Sequence, residues 1–229
     1  TDQVCVFCHT PHGADTTAPV PLWNKVLDSS DRFTRYSTLA TPTFDSVEAP
    51  VGSVSLACLS CHDGTQAMDV VLNSPGSGGY NEAGEEIEGP GGAIQAMTGS
   101  PVPMLGEDLS NDHPISMQYG GGGAQSTDPD GVLAFTTNDP DFNRPVKATI
   151  NTQAIWWVDS DVGTAQVREK TDMLLYTRSD GIGQGGIIEP FVECGSCHDP
   201  HNSNTFTNQV SFLRTSNAES AVCTACHIK

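Results

Sequence analysis

Apolar residues in this chain fall in short runs, separated by long polar stretches rich in glycine and proline. The runs at 132–137, 148–150, 154–158 and 173–177 carry β-branched, aromatic and aliphatic residues and read as short strands. Helical signals are short and close to cysteine-rich motifs, for example at 55–61 and 218–227. Asn217 stands as the N-cap of the second, with Glu219 and Ser220 in its first turn. The segments 76–92 and 120–130 read as loops. No apolar run is long enough to span a bilayer. The pattern predicts a mostly irregular, coil-rich fold with short helices and a small β-containing insertion.

Composition sharpens this picture. Only 37% of the 229 residues are hydrophobic, and there are 23 glycines and 15 prolines. That leaves little apolar side chain for a core made of protein alone. The formal net charge of −18 argues against a nucleic-acid partner and against anionic membrane surfaces. It suits solubility, cationic partners or metal ions, and an acid-rich exported surface is the simplest reading.

The eight cysteines supply the missing chemistry. All of them fall in four copies of Cys-x-x-Cys-His: Cys5-Cys8-His9, Cys58-Cys61-His62, Cys194-Cys197-His198 and Cys223-Cys226-His227. This is the attachment spacing of c-type haem. The two thiols add across the haem vinyl groups, and the adjoining histidine becomes the proximal iron ligand. A zinc ribbon uses Cys-x-x-Cys pairs but does not need a histidine after each. A disulfide framework ignores the histidines, and a thioredoxin-like dithiol lacks its βαβ context. The reading is a chain carrying four covalent haem c groups.

Four large flat apolar cofactors then form most of the core, and the apoprotein is expected to be largely unfolded. The organisation expected is a single haem-packed domain over 1–229. It has haem doublets at 1–65 and 190–229 and a haem-poor insertion at about 66–189. The first motif of each doublet has a second histidine three residues on, in His9-Thr10-Pro11-His12 and His198-Asp199-Pro200-His201. The second motif of each lacks it, so a two-haem unit is used twice. Covalent haem attachment follows export. The expectation is therefore a mature exported chain whose leader is gone, without a membrane span.

Seven histidines are present, and four are proximal. His12, His113 and His201 remain as distal ligands, enough for three bis-histidine haems. The fourth iron stays open, and polymerisation brings no new histidine type. The candidates are Met68, Met97, Met104, Met117, Met173, Lys25, the Thr1 amine, a vacant position, or a histidine upstream of this sequence. Two other patterns are decoys. Gly181-Ile182-Gly183-Gln184-Gly185-Gly186 fits a dinucleotide fingerprint, but Ile187-Ile188-Glu189-Pro190 starts no helix. Asp128–Asp130 and Asp139-Pro140-Asp141-Phe142-Asn143 resemble pieces of a calcium loop without its glycine and distal glutamate. Turn chemistry is the stronger reading there and calcium the weaker.

Several segments resemble the doubled Cys-x-x-Cys-His family of multihaem cytochromes. They are Cys5 to Gly13, Pro21-Leu22-Trp23-Asn24, Cys58 to Thr65, Asn111-Asp112-His113-Pro114 and Cys194 to His201. Within that family the chain is similar to tetrahaem subunits of extracellular cytochrome filaments, the nanowires. The resemblance implies stacked bis-histidine haems, with His12 crossing to a haem of a neighbouring copy. It departs from the family in lacking an eighth histidine. It makes Lys25, following Pro21-Leu22-Trp23-Asn24, the first choice for the substitute ligand. Exposed haems near the two ends of the chain would favour head-to-tail, non-closing contacts. The functional expectation is electron transport without catalysis, in a secreted or cell-surface homopolymer that meets redox partner proteins or extracellular acceptors. A monomeric periplasmic shuttle is the alternative. A reductase with one open haem is the weaker one, since ten Lys plus Arg and no spare histidine leave few groups for a distal catalytic pocket.

Overall fold

Frequent proline and glycine keep the regular elements short. In the computed structural model the residues described are 4–42, 44, 46–66, 68, 70–74, 83, 97, 103–122, 125–127, 133–135, 137–160, 163–165, 167–178, 190–202 and 212–228. The chain divides into two compact units, Thr1–Leu39 with Pro50–Pro114, and Ala40–Ala49 with Ile115–Lys229. Each unit holds one of the two motif doublets.

The first unit is built on 3-10 turns at Val4–Phe7, Ser30–Arg32 and Tyr36–Leu39 and on helix α1, Ser53–His62. Ser29 caps the second turn by accepting from the Asp31 N–H. The predicted helix at 55–61 lies inside α1. Ser55, Ala57, Leu59 and Ser60 are buried, and the Ser60 hydroxyl is satisfied by the Ala57 carbonyl at 2.7 Å. Small residues let this helix sit deep without a broad apolar stripe. Trp23, Phe33, Val51 and Leu109 are buried in the same unit.

The second unit contains the strands. β1 (Met117–Gln118) lies in a two-stranded pairing with β7 (Phe191–Val192), and β2 (Gln125–Thr127) pairs with β3 (Leu133–Phe135). β4 (Val146–Ile150), β5 (Gln153–Val158) and β6 (Met173–Leu175) form an antiparallel meander. Asn151 and Thr152 close the β4–β5 hairpin with positive φ at both positions, the backbone of a twist-compatible two-residue turn. Trp156, Val158, Met173 and Leu175 join Tyr119 and Ala225 in an apolar cluster. The Lys147 ammonium lies 4.7 Å over the Trp156 ring. Helix α2 (Cys194–Cys197) is a single turn with a reciprocal cap between Glu193 and Ser196.

Two expectations need correction. The segment 120–130 is not loop throughout, because β2 lies within it. The last helix does not run from Asn217, whose side chain makes no cap. Glu219 and Ser220 take left-handed conformations, with φ of 53° and 64°. They end a 3-10 turn at Ala218–Ser220, and the α-helix α3 is only Ala221–Thr224. Left-handed residues cannot propagate a right-handed helix. The glycine fingerprint at 181–186 and the Asp128–Asp130 run lie outside the described residues.

Candidate cofactor attachment sites

Each Cys-x-x-Cys-His motif sits on a helical turn. His9 N–H donates to the Cys5 carbonyl at 2.8 Å, His198 to Cys194 at 3.0 Å and His227 to Cys223 at 2.9 Å. Cys58, Cys61 and His62 occupy the last turns of α1. Residues three apart on such a turn share a face, so each pair of thiols is presented together, with its histidine one position on.

The fold brings motifs together in pairs. In the first unit Cys8 and Cys61 lie within electrostatic reach of each other and of Lys25. Burial pushes both thiols above the ordinary value, and the Lys25 ammonium partly offsets it. In the second unit Cys197 and Cys226 pack against the Trp156 cluster. Burial raises Cys197 to about 11 and Cys226 to about 12. A low-dielectric setting that disfavours thiolate suits a neutral thioether. Among the described residues no group of three or more His, Cys, Asp or Glu is gathered as an ion site.

The histidines are oriented for the same purpose. His9 Nδ1 lies 2.8 Å from the Pro21 carbonyl, and His62 Nδ1 lies 2.7 Å from the Pro103 carbonyl. A carbonyl only accepts, so each Nδ1 carries the proton and each Nε2 keeps its lone pair. That tautomer is the one a metal-ligating imidazole takes when a backbone carbonyl orients it. The buried Trp23 Nε1 has no acceptor among the described residues, and Trp23 stands opposite His9. A cofactor bringing its own carboxylates fits such a donor. The thiols and imidazoles present are those that covalent haem attachment uses.

A clasp shared by three motifs was not legible in the sequence. His9 pairs with Trp23, His198 with Leu213 and His227 with Phe142, each as an antiparallel bridge. In all three, two backbone hydrogen bonds flank the pair. Asn24, Arg214 and Asn143 N–H donate to Cys8, Cys197 and Cys226 at 2.9, 2.9 and 2.8 Å. Thr10, Asp199 and Ile228 N–H donate to Leu22, Phe212 and Asp141 at 2.9, 2.8 and 2.7 Å. This is the non-hydrogen-bonded type of pair, where facing side chains come closest. An apolar side chain thus stands beside each proximal histidine. The His9 and Trp23 rings meet edge-on at 6.3 Å, and the His227 and Phe142 rings lie 4.4 Å apart.

The residue after the apolar one closes the clasp with its side chain. Asn24 Nδ2 donates to the Val6 carbonyl at 2.7 Å, Arg214 Nε to Gly195 at 2.9 Å and Asn143 Nδ2 to Thr224 at 3.1 Å. Val6, Gly195 and Thr224 each directly follow the first cysteine of their motif. The only sequence signal is a bulky apolar residue before Asn or Arg, too degenerate to find without contacts. The calcium-like run from Asp139 to Asn143 is one of these clasp segments, and Asp139 Oδ1 accepts from the Asp141 N–H within its turn at 2.9 Å. The 58–62 motif is held differently, by α1, by Pro103 and by the Leu105 N–H on the His62 carbonyl at 2.8 Å.

The remaining predicted ligands are dispersed. His12 and His113 are exposed in the first unit and His201 is exposed in the second. Thr10 Oγ1 and Asn73 Nδ2 donate to the His12 carbonyl at 2.9 and 2.5 Å, fixing that backbone while the ring faces solvent. His201 Nδ1 lies 3.5 Å from Asp199. Lys25 is fully buried and donates to the Val70 carbonyl at 2.9 Å. Met104 lies near Gly64, Met117 is in β1, Met173 is buried in the apolar cluster, and Thr1 is outside the described residues.

Residues 190–229 match the doubled CXXCH motif family. The match supports a haem-binding, multihaem c-type cytochrome-like character and electron transfer by covalent haem c. No curated protein matches the chain.

Proposed function

We propose that the chain is a tetrahaem c-type cytochrome that conducts electrons along closely placed haems as the repeating subunit of an extracellular filament. The observation that carries the reading is the presence of two Cys-x-x-Cys-His copies in each compact unit, with Cys197 and Cys226 packed against one apolar cluster in the second. Haem iron supplies one-electron oxidation and reduction. The protein binds each haem through two cysteines and a histidine and orients that histidine through its clasp or a proline carbonyl. His113 and His201 complete the coordination of two irons. Lys25, buried beside Cys8 and Cys61, is the candidate for a third. His12, exposed on a fixed backbone, reaches a haem of a neighbouring copy.

Intact mass and negative-stain microscopy of the exported protein test this. Four added haems and filaments are expected, and His12→Ala should leave the haem count unchanged while abolishing filaments. A mass short of four haems overturns the tetrahaem reading. Small particles at every concentration would assign the monomeric shuttle instead.

A further inference from the structure

Among the described residues eight non-glycine positions have positive φ, and two of them are large apolar residues: Leu22 at 57° and Phe212 at 67°. A bulky side chain in the left-handed region is strained, and glycine would relieve it. Both are also half exposed, at 53% and 51%. They are equivalent positions in the clasp, each immediately before the residue that opposes a proximal histidine. Each offers its carbonyl to the residue after that histidine, Thr10 or Asp199. The third clasp has Asp141 there, without positive φ. The two clasps that keep a strained apolar residue belong to the two motifs with a second histidine three residues on.

We infer that Leu22 and Phe212 are haem-contact residues, each lying against the haem carried by its own motif, 5–9 or 194–198. The inference rests on the haem reading above. Strain and exposure are two costs at the same residue. A tetrapyrrole anchored one hydrogen-bonded residue away covers the side chain and gives it a reason to resist replacement by glycine. No bond is made or broken; the side chain keeps water from the porphyrin. Removing it should favour the ferric state, which carries the extra positive charge.

The test is Leu22→Gly in the haem-loaded protein, with Leu22→Met as its conservative partner and Phe212→Gly as the counterpart in the other unit. The readouts are spectroelectrochemical midpoints, haem content by intact mass, and assembly state. Each glycine variant should lower one midpoint and leave the others in place, while Leu22→Met keeps the parent values. Loss of one haem in Leu22→Gly, with Leu22→Met fully loaded, is the stronger form of the same result. Unchanged midpoints with equal or higher thermal stability would overturn the inference, since glycine would then only have relieved strain. Altered assembly with unchanged midpoints would overturn it in favour of a second copy as the covering surface. Loss of the haem in both Leu22 variants would overturn it too. A parent protein with no haem would instead refute the underlying functional reading.

Discussion

The motif at 58–62 and the motif at 223–227 share the Cys-x-x-Cys-His pattern but rest on opposite local foundations. The first ends a ten-residue helix that buries Ala57 and Leu59 on its own account. The second rides on the single turn Ala221–Thr224, preceded by two left-handed residues. It is held by the Phe142 clasp, by Asn143 and by the Tyr119 hydroxyl, which donates to Cys226 and Asn143 carbonyls at 3.3 and 2.8 Å. Where a helix has its own buried face, few outside contacts are needed to aim a histidine. Where the helix is one turn long, a distant segment must supply the geometry, because so short a helix is not stable alone.

The sharpest way to break this comparison is to remove one haem at a time. Cys58→Ala with Cys61→Ala and Cys223→Ala with Cys226→Ala should each cost one haem by mass. The second pair should melt about 4–8 °C below the first, corresponding to about 2 kcal/mol for a chain of this size. Equal melting points would show that α1 depends on its haem as much as α3 does.

The clasp side chains come next. Asn24→Ala loses the bonds to Val6 and Asn73 and the one accepted from the Asn73 N–H. All involve a fully buried side chain, so a loss of about 2–3 kcal/mol is expected at about 1 kcal/mol per bond. Half-buried Asn143→Ala should cost less, about 1–2 kcal/mol. Denaturant unfolding measures both; equal effects below about 0.5 kcal/mol, within the range of ordinary surface changes, would dissolve the equivalence.

An effect as small as that at Asn143 concerns the helix-borne motif alone. Gly64 has φ of +77°, and an added Cβ would stand 3.2 Å from both Met104 Sδ and the Met97 carbonyl oxygen. Gly64→Ala should cost about 1–2 kcal/mol, read by denaturant unfolding. Its haem spectrum should change only at the 58–62 site. A spectral change at another haem would show that the motifs are not held independently.

An arginine recurs beside the aspartate that follows two of the proximal histidines. Arg32 lies 3.7 Å from Asp63 and Arg214 lies 3.6 Å from Asp199. Asp63 also accepts from the Thr65 N–H and hydroxyl at 2.9 and 2.8 Å. These carboxylates anchor the chain leaving each motif, a role that His-Asp as a dipeptide does not reveal.

Covalent attachment chemistry was written into the chain locally. A cysteine pair and its adjoining histidine occupy five consecutive residues, so their shared helical turn needs no distant partner to be recognised. The strands β3 to β6 and the helix at 55–61 were legible for the same reason, since propensity and punctuation act over a few residues, whereas β1, β2 and β7, two or three residues long, were not. Tertiary structure alone decided which segment would face each histidine. Trp23 and Leu213 lie well downstream of their histidines, and Phe142 reaches His227 from across the second unit's sequence. It also decided that Asn24, Asn143 and Arg214 are equivalent, because hydrogen bonds to a backbone carbonyl leave no requirement for one side-chain type. Pairing between distant strands depends on the packing of the whole unit, and that information is spread over many weakly constrained positions instead of residing in any one motif.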